Sequence, residues 1–171
     1  MQLLQKIKAL DTLSERGKRC VATGLKDAEG KRLMKGFAFP PKRNALQLLN
    51  AAGHFDVTTL TYSITSFSAA RAKFPGKTSY AEVLSGVLRF DFETLECSLA
   101  LSEPLYIGRN EARSSFSVTA PAPTEGPGAR IGFLCVRFYE ERAGQKLAFT
   151  GMDKFGLEAV GVFEAVNDLP E

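Results

Sequence analysis

The 171-residue sequence predicts a mainly β fold: an antiparallel β-sandwich, or a partly open barrel, with an N-terminal amphipathic helix and one or two short helices. Apolar and polar residues alternate with a period of two in segments from the N-terminal third to the C-terminus, which is typical of strands. About nine such segments are joined mostly by short polar connections, and no long helical patterns alternate with them. We expect one globular domain over residues 1–171, with residues 1–16 as a helical N-terminal extension and residues 17–171 as a β-rich body.

The central strand is predicted at Arg130–Tyr139. As far as Val136 both sets of alternating side chains are apolar, and a strand tolerates this only where both of its faces are covered. The polar stretch Glu140–Gln145 contains a glycine and predicts the loop of an antiparallel hairpin, whose return strand is Lys146–Thr150. The other strands are expected to pack around this hairpin.

The N-terminal region predicts a helix followed by a hairpin. Met1–Ser14 has the apolar spacing of an amphipathic helix, through Leu3, Leu4, Ile7, Leu10 and Leu13. This apolar stripe needs a surface to cover, either the core of its own domain or another subunit. Cys20–Leu25 and Leu33–Phe39 are predicted as extended segments that are joined by a tight turn at Asp27–Gly30.

The middle of the chain predicts a short helix and a strand. Asn44 is suited to cap a helix at Ala45–Ala52. Val57–Phe67 alternates cleanly and predicts a strand with one exposed face. Ser79–Glu82 fits a capping box and favours a single helical turn. For residues 79–87, however, both the helix and the strand interpretation stay open.

A second hairpin is predicted from Leu88–Phe92 and Leu95–Leu101, which alternate on either side of Glu93-Thr94. Glu103–Arg113 follows as a loop of about ten residues, because it contains proline, glycine and several polar residues. The remaining segments predict a short strand, a linker rich in proline and glycine, and a closing strand: Phe116–Thr119, Ala120–Gly128 and Leu157–Val166.

Composition places the chain among ordinary globular proteins. The sequence is 44% hydrophobic and 24% charged, so disorder is not expected. No apolar run approaches the roughly 20 residues that a membrane-spanning helix needs, and we expect no membrane partner. Residues 1–19 lack the apolar core of a signal peptide, so a cytoplasmic location is the default expectation.

No cofactor or metal is expected. Cys20, Cys97 and Cys135 are far apart, and each falls in an apolar alternation, which predicts buried reduced thiols rather than metal ligands or disulfides. The chain has one histidine, His54, and a zinc site would need more nitrogen or thiolate ligands than this pattern offers. Neither of the phosphate-binding patterns GxxxxGK[ST] and GxGxxG precedes a predicted helix.

Positive charge collects in the N-terminal third, where residues 1–50 hold 11 lysines and arginines against 4 acidic residues. Three basic clusters are candidates for a polyanion-binding or nucleic-acid-binding surface: Arg16, Lys18 and Arg19; Lys31, Arg32 and Lys35; Lys42 and Arg43. Basic residues also protect exposed strand edges from aggregation, so a nucleic-acid partner is not the favoured interpretation. Tyr106, Arg109 and Arg113 form a second candidate binding patch, because they share one loop.

The sequence favours a non-enzymatic binding or assembly module whose partner is a protein or a second copy, reached through the N-terminal helix. Two functions of other classes stay as alternatives: polyanion or nucleic-acid binding through the basic third, and an enzyme of unrecognised type centred on His54. His54 is the only histidine available as a base, and GxSxG or a comparable nucleophile signature is absent. The paired acids Glu140-Glu141, and Asp91 with Glu93, lie at predicted turns, where solvated charge is expected.

Overall fold

The computed structural model describes residues 2–41, 44–148, 151 and 155–164, and it confirms a mainly β, antiparallel fold. The helices of these residues are α1 (Gln2–Ala9), α2 (Val21–Gly24), α3 (Ala28–Lys35), α4 (Ala45–Leu49) and one 3₁₀ turn, Ala69–Arg71. Their strands are β1 (Ala38–Phe39), β2 (His54–Asp56), β3 (Thr61–Ile64), β4 (Tyr80–Phe90), β5 (Cys97–Leu101), β6 (Leu105–Gly108), β7 (Phe116–Thr119), β8 (Ala129–Arg142), β9 (Gln145–Ala148) and β10 (Phe155–Phe163).

Strand β8 lies inside a seven-stranded antiparallel sheet, the large sheet, whose order is β1-β10-β8-β4-β5. β6 pairs with the first part of β4, and β9 pairs with the end of β8. The predicted central strand is therefore confirmed. The predicted closing strand is confirmed as β10, which already begins at Phe155, whereas Val166 lies outside the described residues.

The hairpin from β8 to β9 is tighter than the sequence predicted. Ala143 and Gly144 connect the strands, and both have positive φ, 50° and 78°. Two consecutive residues of this kind match the twist of the flanking strands, so the connection needs two residues and not the predicted loop Glu140–Gln145. Phe149 and Thr150 of the predicted return strand lie outside the described residues.

A three-stranded sheet of order β2-β3-β7, the small sheet, packs on one face of the large sheet, which we call the inner face. Alternation along β3 and β7 directs Tyr62, Ile64, Phe116 and Val118 into the core between the sheets, where all four are buried. The inner face of the large sheet supplies Val83, Val87, Leu134, Val136 and Phe138. The result is a sandwich of two sheets that do not close into a barrel.

Phe55 of β2 lies directly over two glycines of the large sheet. A Cβ atom at Gly132 would lie 2.5 Å from Phe55 Cε1, and one at Gly161 would lie 2.7 Å from Phe55 Cδ1. Optimal carbon–carbon contacts are about 3.5–4.0 Å, so the two sheets approach this closely only because β8 and β10 carry glycine there.

The helices α1, α2 and α3 form a helical layer on the opposite face of the large sheet, the outer face, where they cover one end of it. Ile7, Leu25 and Met34 are the buried core of this layer, and Ile131 and Val162 of the sheet pack against them. The apolar stripe of α1 therefore meets its own chain at Ile7, which is fully buried.

The predicted first hairpin is wrong, because Cys20–Leu25 contains α2, and the first four residues of Leu33–Phe39 belong to α3 and its C-terminal cap. The Cys20 Sγ accepts a hydrogen bond from the Thr23 N–H, and the Asp27 carboxylate accepts one from the Glu29 N–H. Both residues therefore cap helices, and the sequence of Asp27–Gly30, which suits a tight turn, also suits a helix start. Only Ala38 and Phe39 are extended, as β1.

Other predicted boundaries shift for local reasons. Asn44 caps α4 as predicted, through a 2.7 Å hydrogen bond from the Gln47 N–H, but the helix ends at Leu49. Residues 79–87 belong to β4, so the strand interpretation is right, and the loop predicted at Glu103–Arg113 contains β6. In Val57–Phe67 only β3 is a strand. The strand predicted at residues 116–119 is confirmed as β7. The predicted second hairpin is confirmed as the antiparallel pair β4 and β5, but residues 91–96 connect the two strands and not Glu93-Thr94 alone.

Asp11 ties the end of the α1 region to the start of α2. Its fully buried carboxylate accepts hydrogen bonds from the backbone N–H groups of Leu13 (3.1 Å), Ser14 (3.0 Å) and Cys20 (2.9 Å). Burial raises the pKa of Asp11, but these hydrogen bonds outweigh burial and lower the pKa from 3.8 to about 2. The predicted helix Met1–Ser14 is therefore shortened, because residues 11–20 form a turn around this carboxylate.

We expect Gly132→Ala to lower the free energy of unfolding by about 1–3 kcal/mol, because the added methyl group overlaps the Phe55 ring. Urea denaturation measures this change. In the double variant with Phe55→Leu the loss should be smaller than the sum of the two single losses, since the shorter side chain leaves room for the methyl group. Gly36→Ala is the control, because its new Cβ meets no atom closer than 3.6 Å. Equal losses for Gly132→Ala and Gly36→Ala would contradict the close approach.

Asp11→Asn should reduce the stability of the protein above about pH 4 and have progressively less effect as the pH falls toward about 2. The depressed pKa means that the ionised carboxylate stabilises the fold above 3.8, and this contribution disappears as the group protonates. Thermal unfolding of both proteins between pH 2 and pH 7 measures the difference. Asp27→Asn is the control, because an asparagine at that exposed N-cap accepts the same bond. A constant difference across the whole range would be the contrary result.

Candidate functional site

The outer face of the large sheet is apolar where the helical layer does not cover it. Cross-strand partners project to the same face of a sheet, so the register joins outer-face residues into rows that cross several strands. One row runs through Phe39, Leu157, Cys135 and Leu84 on β1, β10, β8 and β4. We call the following residues the apolar strip: Phe39, Leu84, Leu99, Leu101, Phe133 and Leu157.

Strand β5 contributes the two most exposed residues of the apolar strip. Leu99 and Leu101 are 57% and 47% exposed, while the side chain of Ser98, just before Leu99, bonds Thr124 on the other side. The alternation predicted for this strand is therefore correct, but its apolar side points to solvent and not to the core. Cys97 shares that side and is exposed, so the predicted burial of this thiol is wrong.

The other two cysteines differ in burial. Cys135 is buried as predicted, and burial raises the pKa of its thiol to about 11, so that the group stays protonated at neutral pH. Cys20 is half-buried and serves as the helix cap described above.

Beyond the apolar strip, where β4 begins, three of the four tyrosines of the chain come together on the outer face. We call Tyr80, Tyr106 and Tyr139, with Glu82, the tyrosine cluster. Glu82 is only 6% exposed, and one of its oxygens, Oε2, accepts hydrogen bonds from the hydroxyls of Tyr106 at 2.8 Å and Tyr139 at 3.0 Å. The rings of Tyr106 and Tyr139 meet edge to face with centroids 5.9 Å apart.

A lysine of the same chain lies over these rings. The Lys146 Nζ is 3.6 Å from the centroid of the Tyr106 ring and 5.2 Å from that of Tyr80. Both distances are within the range of a cation–π interaction. The β8–β9 hairpin positions this side chain, since Lys146 is the cross-strand partner of Glu141, and Glu141 accepts a 2.7 Å hydrogen bond from the Tyr80 hydroxyl.

The electrostatics of the tyrosine cluster keep its hydroxyls protonated. The hydrogen bond to Glu82 raises the pKa of Tyr106 to about 12, and the bond to Glu141 raises the pKa of Tyr80. For Tyr139, burial and then the bond to Glu82 raise the pKa. Each hydroxyl therefore donates to a carboxylate, and the electron-rich ring faces remain available for a cation.

Most of the basic residues proposed from the sequence lie in the helical layer, either on α3 or in the turn between α1 and α2. Arg16, Lys18 and Arg19 are exposed, as are Arg32 and Lys35 of α3. Three of the candidates are in ion pairs: Lys18 with Glu15 at 3.0 Å, Lys31 with Glu164 at 3.4 Å, and Arg32 with Glu29 at 2.6 Å. Lys42 and Arg43 lie outside the described residues.

The patch proposed at Tyr106, Arg109 and Arg113 is divided between different contacts. Tyr106 belongs to the tyrosine cluster, whereas the Arg109 guanidinium donates to the Gly76 carbonyl at 2.6 Å. Arg113 donates to Glu111, also at 2.6 Å. The sequence therefore named one residue of the cluster and missed Tyr80, Glu82 and Tyr139, as well as Lys146, which lies over it. Tyr80 and Glu82 are two residues apart and share one face of β4, a signal that requires residues 79–87 to be assigned to a strand.

His54 is exposed at the start of β2. The nearest acid along the strand is Asp56, whose carboxylate accepts hydrogen bonds from the N–H groups of Thr58 at 2.8 Å and Thr59 at 3.3 Å. These bonds lower the pKa of Asp56 and shape the turn that leads into β3. The position of Asp56 is thus accounted for by the turn.

A groove of about 580 Å³ lies between the helical layer and residues 125–130. Its charged lining comprises four acids and three bases: Asp91, Glu93, Glu125, Glu164, Lys26, Lys31 and Arg130. Arg130 is the cross-strand partner of Arg89, whose Nη1 donates to the Pro127 carbonyl at 2.9 Å. Because both signs of charge line the groove, it favours neither an anion nor a cation.

Comparisons of the chain with protein-family models, curated proteins and solved structures found no match. Across residues 2–41, 44–148, 151 and 155–164, no helix is long and apolar enough to cross a membrane. The same residues contain no group of three or more histidine, cysteine, aspartate or glutamate side chains placed to hold a metal ion.

Glu82→Gln should lower the pKa of Tyr106 from about 12 toward 10.0, because the neutral amide no longer favours the protonated phenol. Carbon-13-labelled tyrosine followed by NMR during a pH titration resolves the individual rings. Glu96→Gln, in the exposed turn before β5, is the matched control and should leave all the tyrosine curves in place. An unchanged Tyr106 curve in Glu82→Gln would mean that the carboxylate does not set the electrostatics of the cluster.

Proposed function

We propose that this protein is a non-enzymatic binding module that engages a partner protein across the outer face of the large sheet. The main support for this proposal is the apolar strip, which presents large apolar side chains to solvent on regular strands. Within the described residues, no further layer covers Leu99 and Leu101. Contiguous exposed apolar surface of this kind is typical of interaction sites.

The energetics of burial support a protein partner. Moving a leucine or phenylalanine side chain from water into an interface stabilises the complex by about 1.5–3 kcal/mol at full burial. The strip supplies several such side chains on a rigid sheet, so little conformational entropy is lost when they are covered. Polar groups of the tyrosine cluster border the strip, as a polar rim borders the apolar centre of many interfaces.

The tyrosine rings at the border of the strip favour a partner that presents a cation beside its own apolar residues, because they expose their negative faces. The formal charges of the border offset one another, since Arg137 is the cross-strand partner of Glu82 and Lys146 is that of Glu141. A second copy of the chain is the competing occupant, and the experiment below separates the two.

Polyanion binding and catalysis are supported less well. Ion pairs to Glu15, Glu29 and Glu164 offset part of the positive charge of the helical layer. His54 lies on the small sheet near a carboxylate that is engaged in a turn. Both observations favour a binding module over these alternatives.

The double variant Leu99→Ser/Leu101→Ser should weaken partner binding at least tenfold and leave the fold intact, since both side chains are largely exposed. Affinity capture from the native source with the wild-type chain identifies a partner. Titration of that purified partner against both proteins, followed by calorimetry, then measures the affinity. Circular dichroism and thermal unfolding verify the fold of the variant.

Leu13→Ser is the matched control, because Leu13 is 84% exposed but lies outside the large sheet, after α1. It should bind the partner as the wild-type chain does. A purified partner that binds wild-type and double variant equally well would refute the proposal. So would sedimentation showing a wild-type dimer that the double variant dissociates, because the occupant of the strip would then be a second copy.

A further inference from the structure

We infer that the tyrosine cluster is a binding site for an alkylammonium side chain of the partner, such as lysine or methylated lysine, and that Lys146 occupies this site in the free protein. The inference rests on the proposed function, because the side chain would be presented by the protein that covers the apolar strip. It adds a ligand class to the same face.

The tyrosine cluster has the chemistry of a cation-binding site. Ring faces from two neighbouring strands, Tyr80 on β4 and Tyr106 on β6, converge on one point, and the Lys146 Nζ marks that point at 5.2 Å and 3.6 Å from their centroids. Both rings are orientated by hydrogen bonds to carboxylates, at Glu141 and at Glu82. The site is thus built from ring quadrupoles, which favour a cation over a neutral group. Arg137, the cross-strand partner of Glu82, offsets the charge of that carboxylate, so the ring faces supply this preference.

The site stays rigid without Lys146. Glu82 is buried and holds Tyr106 and Tyr139 from both sides of β4. Tyr80 is held separately by its hydrogen bond to Glu141. None of these bonds involves the Lys146 side chain, so the rings stay in place when the lysine leaves. A preformed site of this kind binds its ligand without first ordering side chains.

Another ammonium group can take the place of Lys146. All four residues of β9 are exposed, and the strand pairs only with the end of β8. The lysine side chain is long and flexible, so it can leave the rings while the strand stays paired. An ammonium group of the partner would then make the same contact. Lys146 therefore acts as an intramolecular competitor, which reduces the apparent affinity for a cation in proportion to its occupancy.

The probe for the test is the N-acetyl methylamide of trimethyllysine, titrated into the full chain and followed by NMR of the tyrosine rings. Lys146→Met should bind this probe several-fold more tightly than the wild-type chain, because the competitor is gone. Lys35→Met, on α3, is the matched control and should bind as the wild-type chain does. An unchanged affinity in Lys146→Met would overturn the occupancy of the site by Lys146.

Two variants of Tyr106 separate the ring from the fold. Tyr106→Phe keeps the ring face and should retain binding within a few-fold, whereas Tyr106→Leu should lose it at least tenfold. If Tyr106→Leu is unfolded, the binding of the charged probe is compared instead with that of a neutral ligand. In this ligand a tert-butyl group replaces the trimethylammonium group. Equal binding of the charged and the neutral ligand to Lys146→Met would overturn recognition of a cation. Equal binding of free tetramethylammonium and the trimethyllysine amide would overturn recognition of a side chain.

Failure of this inference and failure of the proposed function give different results. Leu99→Ser/Leu101→Ser should bind the trimethyllysine amide as the wild-type chain does, because the strip is not part of the cluster. If the partner still depends on the strip but the probe does not bind Lys146→Met, only the cation site is refuted. If the probe binds but the partner ignores the strip, only the proposed function is refuted.

Discussion

The antiparallel pairing of β8 with β4, from Tyr80 opposite Tyr139 to Phe90 opposite Ala129, is the constraint on which both faces of the large sheet depend. Side chains alternate along each strand, so a slip of one residue would exchange the two faces. Glu82 would then enter the core beneath the small sheet, and Phe55 would no longer lie over Gly132. Neither change is tolerable. The first buries the charge of Glu82 without hydrogen-bond partners, and the second makes the Phe55 ring overlap the side chain that takes the place of Gly132. The register is therefore fixed by Glu82 on the outer face and by Gly132 on the inner face.

A buried carboxylate on a largely apolar sheet needs hydrogen-bond donors, and Glu82 obtains them from its neighbours on both sides. Tyr106 on β6 and Tyr139 on β8 each donate to it, so one acidic residue orientates two rings. This requirement of the fold creates the geometry of the candidate site. The ring faces are held where a cation can reach them because the hydroxyl groups are already engaged.

The sequence predicted the central strand β8 from its two apolar side-chain sets and the hairpin of β4 and β5 from alternation, and it also predicted the closing strand β10. It did not predict α2 and α3, because Asp27–Gly30 suits a turn and a helix start equally well, and the packing of Met34 on Ile7 and Leu25 decides between them. Alternation also could not tell which side of β5 faces the core, since a period of two is the same from either side. The tyrosine cluster draws on β4, β6 and β8, and Lys146 comes from β9, so only the register of these strands brings Tyr106 and Lys146 together.

In the proposed complex, the two parts of the outer face contribute differently to recognition. At the tyrosine cluster a partner cation replaces Lys146 in a similar contact, and an exposed cation–π interaction is worth about 0.5–1 kcal/mol, so the exchange changes the free energy little. At the apolar strip nothing in the described chain is displaced except water, and each covered leucine adds directly to the free energy of binding. Affinity therefore comes from the strip. The cluster contributes selectivity, because a partner without a cation leaves Lys146 in place between the two surfaces, where it obstructs close contact.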